Sequence, residues 1–302
     1  MSTKLSIVIV SFNAREYLSK CLESIDRHAP PFAFEVIVVD NSSTDGSPEL
    51  VREKFPHVKL HALAENRGFG PGCNHGMRAG NSDHVLLLNS DTEMLPGTLE
   101  ALVTALESMP AAGVVAPYFV DGRGEVIQMS WGWTPLFVGE ILQRFFSPRS
   151  LERSGWRRRL VRRMQRRTRV AQIVCGAAML FRREALEQIG GMDEDYVLYL
   201  EDSDVCARLR KAGWQVVFWP GARLVHHLGR SSASQPGTIA LLYRQSQLLF
   251  YAKHGSPLDR ALIHLYLRIR FWRIYLLPRS PHEREFYLRL RAVLEGREKV
   301  AF

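Results

Sequence analysis

The chain has 302 residues, 46% hydrophobic and 24% charged, the balance of an ordinary globular protein able to bury a sizeable core. Its four cysteines, Cys21, Cys73, Cys175 and Cys206, form no C-x-x-C pair, which points to reduced thiols in a cytosolic protein and away from a disulfide frame or a zinc site. The net charge of +9 is concentrated: between Arg149 and Arg169 ten arginines meet one acid, Glu152, so this window carries +9 and the remainder is neutral on balance. Whole-protein nucleic-acid binding is therefore a poor explanation of the basicity. No uncharged apolar run reaches the ~18 to 20 residues of a spanning helix. The strand pattern opening at Leu5 leaves no room for a signal peptide. The expectation is a soluble protein, or one peripheral to the inner face of the cell membrane.

Leu5 to Val10 reads as a buried strand, followed by Ser11-Phe12-Asn13. A helix follows with Tyr17, Leu18, Cys21, Leu22 and Ile25 on one face, and Asn13 is a plausible N-cap. Glu35 to Val39 is a second buried strand ending at Asp40, then come a short helix (Pro48 to Phe55) and a weaker strand (Val58 to Leu63). Asn66 to Gly80 is glycine-rich. Val85 to Leu88 has the composition of a strand buried on both faces of a parallel sheet, and it breaks into Asn89-Ser90-Asp91-Thr92-Glu93. Leu99, Leu102, Val103, Leu106 and Met109 mark an amphipathic helix after it. Strands alternating with helices in this rhythm predict a parallel, doubly wound α/β sheet. Right-handed crossovers would set the strand ends Ser11, Asp40 and Asp91 along one edge, where open α/β sheets bind ligands. A carboxylate such as Asp91 there can hold a hard divalent cation, which can hold a diphosphate. The bland alternative is a solvated strand end that caps the next helix.

Gly113 to Val120 is another strand, with a turn at Asp121-Gly122-Arg123-Gly124. Met129 to Phe146 is aromatic-rich and fits either core cover or a lip of the ligand site. In the arginine window Leu160, Val161 and Met164 sit at helical spacing, as in a basic amphipathic helix at an anionic bilayer or, equally, a solvated charge run. Ile173 to Phe181 is a strand whose Gly176-Ala177-Ala178 permits close approach of a ligand. The helix Arg183 to Ile189 stops at Gly190-Gly191. A second acidic cluster follows, with Glu201-Asp202 beside the start of a helix, where the macrodipole favours an ionised carboxylate and an N-cap is the commonest role. Gln215 to Trp219 and Arg223 to Val225 are short strands, the latter running into His226-His227. From about Ile239 the character changes to helical runs, Ile239 to Lys253 and Leu258 to Leu277, the second with a stripe of Leu262, Leu265, Ile269 and Trp272. Residues 1–235 are thus expected to form the main α/β domain, with a basic insertion at about 145–170, and 236–302 a C-terminal helical region.

Dinucleotide-binding and P-loop readings fail. The turn after the first strand lacks the glycines of G-x-G-x-x-G, and no G-x-x-x-x-G-K-[S/T] exists. No Ser-His-Asp or Cys-His arrangement presents itself.

In combination and order the motifs resemble an inverting glycosyltransferase of family 2 with the GT-A fold. The likeness is carried by Ser6 to Asn13, Val36 to Ser47, Asn66 to Gly70, Asn74-His75-Gly76, Leu87 to Thr92, Gly176 to Arg182, Leu200 to Arg208 and the tail from His226 to Ser231, and covers roughly Leu5 to His254. It is closest to the bacterial rhamnosyltransferase-like members, which use dTDP-rhamnose in cell-surface polysaccharide synthesis. The resemblance implies that Ser11, Asn13 and Asp40 frame the nucleotide base, with Asn66, Gly68 and Ser90 on the nucleotide side. It puts Asn89, Gly176, Ala177 and Arg230 toward the sugar and diphosphate. The family's two metal-holding aspartates are here Asn89 and Asp91, so Asp91 remains, with Mg2+ or Mn2+ expected and His226, rather than His227, completing the shell. The general base is expected to be Asp202, with Glu201 as the fallback.

Direct displacement asks for these parts: a base that takes the acceptor hydroxyl proton, and a cation across from it that stabilises the departing diphosphate. The implied partners are a nucleotide-sugar donor (dTDP-rhamnose or a UDP-sugar), a glycan or lipid-linked acceptor and an anionic membrane surface, with no nucleic acid. The competing expectation is a catalytically silent nucleotide- or glycan-binding module on the same fold, against which the retained Glu201-Asp202 and His226 argue.

Overall fold

The structure, a computed structural model, describes residues 3–147, 150–151, 153–227, 236–275 and 281–300. Its centre is a mixed sheet of nine strands in the order β3-β2-β1-β4-β10-β6-β11-β5, with β8 also paired to β11. The first half follows the expected βαβ rhythm. β1 (Leu5–Ser11), β2 (Phe34–Asp40), β3 (Lys59–Ala62) and β4 (His84–Asn89) are parallel neighbours. Their apolar residues are buried because helices cover both faces. On one side α1 (Arg15–Arg27) sets Leu18, Cys21, Leu22 and Ile25 against the sheet at i, i+3, i+4 and i+7. Each such side chain contributes roughly 1.5–3 kcal/mol by leaving water. The short α2 (Ser47–Lys54) precedes β3.

Asn13 does not cap α1. It has φ 49, Ala14 stands at the N-cap, and the Asn13 side chain reaches away to accept the Thr44 N–H at 2.8 Å. The glycine-rich stretch conceals a helix, α3 (Phe69–Ala79). Its glycines let it lie directly on β1: a Cβ at Gly76 would come within 2.3 Å of Val8 Cγ1. Low helix propensity is overridden here by close packing.

The second half departs from a purely parallel sheet. β5 (Thr92–Met94) leaves the turn after β4, α4 (Thr98–Ser108) follows, and β6 (Ala112–Val120) is buried throughout. β7 (Trp131–Gly132) pairs with β9 (Ile173–Val174) in a separate two-stranded sheet. Between them lie α5 (Phe137–Phe145), α6 (Gly155–Met164) and β8 (Arg169–Ala171). The strand expected over Ile173 to Phe181 is thus broken at Gly176, and its second part, β10 (Ala178–Arg182), inserts antiparallel between β4 and β6. After α7 (Arg183–Gln188) and α8 (Glu201–Lys211), the two expected short strands prove to be one bent strand, β11 (Gln215–His226), with an irregularity between Phe218 and Arg223. That bend lets β11 pair with β8 at one end and antiparallel with β5 at the other.

The C-terminal helices are α9 (Pro236–His254), α10 (Pro257–Tyr275) and α11 (Pro281–Leu294), the last without a sequence-based expectation. The first of them, α9, packs beside α8. His254 Nε2 and Arg208 Nε each lie 2.6 Å from the fully buried Asp204 carboxylate. Against the cost of burial, these bonds hold Asp204 below the usual carboxylate range. No helix among the described residues is long and apolar enough to cross a membrane.

Candidate active site

Strand register assembles the first part of the site. Ser11 and Asp40 are paired at the ends of β1 and β2, both buried. Asp40 Oδ2 accepts the Ser43 N–H at 2.8 Å, while Asp40 Oδ1 and Ser11 Oγ are buried without a hydrogen-bond partner among the described residues. Orphaned buried acceptors of this kind are costly unless a ligand completes them. Asn13 folds over the same loop, its N–H donating to Ser43 Oγ at 2.9 Å. Asn66 Oδ1 accepts the Gly68 N–H at 3.0 Å, and the Gly68 carbonyl accepts from Asn41 Nδ2 at 2.8 Å, which ties this segment to the end of β2. Ser11, Asn13, Asp40, Asn66 and Gly68 therefore lie together.

The second part forms where β4 turns into β5. Asn89 ends β4 and donates its N–H to the Ala177 carbonyl at 2.9 Å; Ser90 and Asp91 occupy the turn, with Asp91 only 2% exposed. Because β5 pairs with β11, His226 comes opposite Thr92 and its Nε2 sits 3.4 Å from Asp91 Oδ1. His227 points elsewhere, 2.7 Å from Glu93. Gln128 braces the far side of His226, with its side-chain nitrogen 3.2 Å from Nδ1 and 3.3 Å from Cys175 Sγ.

Cys175 leads to the third part. The next residue, Gly176, donates its N–H to Asp202 Oδ2 at 3.0 Å, and Ser203 donates its N–H to Asp202 Oδ1 at 2.6 Å. The Cys175 thiol is pushed up to about 12 by burial, with further contributions from the charges of both Asp202 and Asp91. Gln128 thus links His226, the partner of Asp91, to Cys175, whose neighbour Gly176 holds Asp202. Glu201 and Asp202 are the first two residues of α8, entered through Tyr199 and Leu200, which both adopt positive φ, 68 and 66. Two consecutive non-glycine residues in this region are strained. α9 holds them there: Ser246 Oγ donates to the Leu198 carbonyl at 2.7 Å and Tyr243 packs edge-on against Tyr199.

The paired carboxylates are not equivalent. Burial raises both, but Asp202 receives hydrogen bonds from Gly176 and Ser203 that favour its ionised form. Glu201 Oε2 is buried without a partner among the described residues, and burial followed by the Asp202 charge lifts Glu201 to about 8. Asp202 is the group that ionises first and Glu201 the one that keeps its proton, an environment-driven split of two carboxyls. The folded state thus holds a proton on Glu201 that an unfolded glutamate, near 4.5, has lost, so stability falls as pH rises from about 4.5 to 8. Glu201→Gln is expected to be progressively more stable than wild type across that window, by a few kcal/mol at its upper end, and so to melt at a higher temperature there, with no gain below it. A thermal melt series against pH reads this directly, and a variant less stable than wild type above pH 8 would contradict it.

Gly176 has a steric reason. A Cβ there would lie 2.8 Å from Asp202 Cβ and 3.1 Å from its Oδ2. Gly176→Ala is expected to push Asp202 aside and lower kcat on the order of a hundredfold, with circular dichroism unchanged. Unaltered turnover would show that Asp202's position does not matter.

The structure brings together every described residue that the sequence singled out: Ser11, Asn13, Asp40, Asn66, Gly68, Asn89, Ser90, Asp91, Gly176, Ala177, Glu201, Asp202 and His226. Arg230 lies outside the described residues. Gln128, Tyr199 and Tyr243 had no sequence signal. No group of three or more His, Cys, Asp or Glu side chains able to hold a metal is found among the described residues.

The chain is similar to known proteins along its whole length. The model for "Glycosyl transferase family 2" matches residues 6–190, and that for "N-terminal domain of galactosyltransferase" matches 158–229. It is 31% identical to the N-acetylglucosaminyl-diphospho-decaprenol L-rhamnosyltransferase of Mycobacterium tuberculosis, over 98% of this chain and 100% of that protein. It is 27% identical to the low-salt glycan biosynthesis hexosyltransferase Agl10 of Haloferax volcanii, over 70% of this chain and 63% of that protein. Among solved structures, the mannosyltransferase PcManGT from Pyrobaculum calidifontis in complex with GDP-Man and Mn2+ superimposes with TM-score 0.58 at 20% identity, covering 99% of this chain and 77% of that one. S. aureus TarS in complex with UDP-GlcNAc gives TM-score 0.58 at 16% identity, covering 97% of this chain and 80% of that one.

Proposed function

This chain belongs to glycosyltransferase family 2, and from that premise we propose that it moves a sugar from dTDP-rhamnose or a UDP-sugar to a hydroxyl of a glycan or lipid-linked acceptor, with inversion at the anomeric carbon. The observation that supports this best is the convergence on the turn at Cys175 and Gly176 of the Asp91–His226 pair, linked to Cys175 through Gln128, and of Asp202, held by the Gly176 N–H.

The residues fit a divalent cation. One carboxylate and one imidazole, both nearly buried, would hold Mg2+ or Mn2+, leaving the other positions for diphosphate oxygens and water. With Asn89 where the family has a second aspartate, Asp91 supplies the negative charge. When bound, the ion neutralises charge that develops on the departing diphosphate. The orphaned Asp40 Oδ1 is suited to accept the imide N–H of a uracil or thymine, and Ser11 Oγ to pair with a neighbouring base carbonyl. Ionised Asp202, fixed by Gly176 and Ser203, takes the acceptor hydroxyl proton as that oxygen bonds to the anomeric carbon. The bond from that carbon to the diphosphate breaks, and its electron pair leaves with the diphosphate. Glu201, neutral beside Asp202, does not compete for the proton.

The relative whose name specifies a diphospho-decaprenol acceptor supports a lipid-linked acceptor here, and with it a peripheral place at the inner face of the membrane in cell-surface polysaccharide synthesis. Incubation with a panel of dTDP-, UDP- and GDP-sugars, Mn2+ or Mg2+, and a short-chain polyprenyl-diphosphate N-acetylglucosamine tests this by product mass. Addition of one sugar from a dTDP or UDP donor is expected. Metal-independent transfer, or transfer from a GDP-sugar alone, would contradict it.

A further inference from the structure

Three helices outside the site each carry an apolar stripe that the fold leaves exposed. On α5 these are Val138, Ile141 and Phe145; on α6, Trp156 and Leu160; on α10, Leu258, Leu265 and Ile269. At about 100° per residue each set falls within roughly 60° of helix surface. The opposite faces are accounted for. Glu140 of α5, Val161 and Gln165 at α6, and Ile263 and Leu267 of α10 are all buried. The stripe anticipated on α6 therefore divides: Val161 and Met164 pack inward on the main core, and Trp156 and Leu160 look outward. Eight of the twelve exposed large hydrophobic residues described in the protein lie on these three helices. Scattered exposure would not concentrate in this way.

The stripes are contiguous. Phe145 and Trp156 have ring centroids 5.9 Å apart, with the Arg157 guanidinium over both. The neighbouring Arg144 reaches α10, donating to Tyr266 Oη at 2.9 Å, next to Leu265. Around them stand the exposed Arg153, Arg159, Arg163, Arg166 and Arg167, with Arg260 and Arg268 on α10.

We propose that α5, α6 and α10 form one docking face that lies on an anionic bilayer, apolar stripes in the acyl boundary and arginines among the headgroup phosphates. Charge complementarity selects this occupant. A second copy of the chain would set arginine against arginine, and a nucleic acid would leave the aliphatic stripes in water. Short helices with an apolar face and basic flanks bind in the plane of the interface, and each arginine adds to the attraction. The face also adjoins the site: Glu140, on the inner side of α5, is bonded by Gln247 of α9, and Tyr243 of α9 feels the charge of both Glu140 and Asp202. A lipid-linked acceptor would thus reach the base from the membrane across α5 and α9. This last point rests on the proposed acceptor class; the docking face does not.

Flotation with phosphatidylcholine vesicles, with and without phosphatidylglycerol, is the test. Wild-type protein is expected to float with the mixed vesicles at least about tenfold more than with neutral ones, and less at high salt. Both Val138→Ser/Ile141→Ser/Leu265→Ser/Ile269→Ser and Arg159→Glu/Arg163→Glu/Arg166→Glu should lose flotation by about tenfold or more, while transfer to a water-soluble acceptor is retained. Loss of that transfer in wild type would count against the proposed activity and not against the face. Equal flotation with neutral vesicles, none with either, or variants that float like wild type would overturn the proposal, as would tighter binding to duplex DNA or an acidic protein.

Discussion

Asp202→Asn is expected to lower kcat by roughly a hundred- to ten-thousand-fold while leaving donor affinity in the presence of Mn2+ nearly unchanged. Asparagine keeps the shape of the side chain but has a single acceptor oxygen, so it can accept from Gly176 or from Ser203 and not from both; the loss of one of these hydrogen bonds should leave the start of α8 in place. What it cannot do is take a proton. The effect should therefore fall on turnover and spare donor binding, the signature of an interaction made in the transition state alone. Steady-state kinetics paired with donor titration calorimetry separates the two. Full turnover in the variant would remove Asp202 from the mechanism and return the role to Glu201.

Asp91→Ala should do the reverse. It removes the charged partner of His226 and the one carboxylate at the β4–β5 turn suited to a cation. Removing even a group that only supports a metal ligand typically weakens metal binding ten- to a hundredfold, so losing this carboxylate is expected to weaken Mn2+-dependent donor binding by at least about a hundredfold. Binding of the nucleotide without metal, which draws on Ser11 at the end of β1, Asp40 at the end of β2 and Asn66 after β3, should hardly change. Equal loss with and without Mn2+ would mean that Asp91 shapes the pocket and holds no ion.

The parallel half of the sheet was legible because its code is local. Leu5 to Val10, Val36 to Val39 and Val85 to Leu88 are apolar runs that end in polar clusters, and parallel pairing then aligns Ser11, Asp40 and Asn89. The second half was less legible because its register is set by partners distant in sequence. Nothing near Ala178 says that β10 runs antiparallel between β4 and β6, and nothing near His226 announces that β5 will bring it to Asp91. Two local signals also misled. Glycines that lower helix propensity in α3 are there so that the helix can touch β1, and Asn13, a good N-cap residue, is recruited by Thr44. Gln128 and the strained Tyr199-Leu200 pair carry no pattern of their own; their importance lies in what they touch. The arginine helix shows the same limit. Spacing identifies an amphipathic segment, but whether Val161 or Trp156 meets the core depends on the surface that receives it.

The product's anomeric configuration, read by NMR coupling constants, bears most directly on whether a cation held at Asp91 and a base at Asp202 act on one sugar from opposite sides. A single in-line displacement requires the configuration opposite to that of the donor, and this is the expected result. A product that keeps the donor's configuration would demand a different chemistry and contradict the assignment of Asp202 as the base that activates the acceptor.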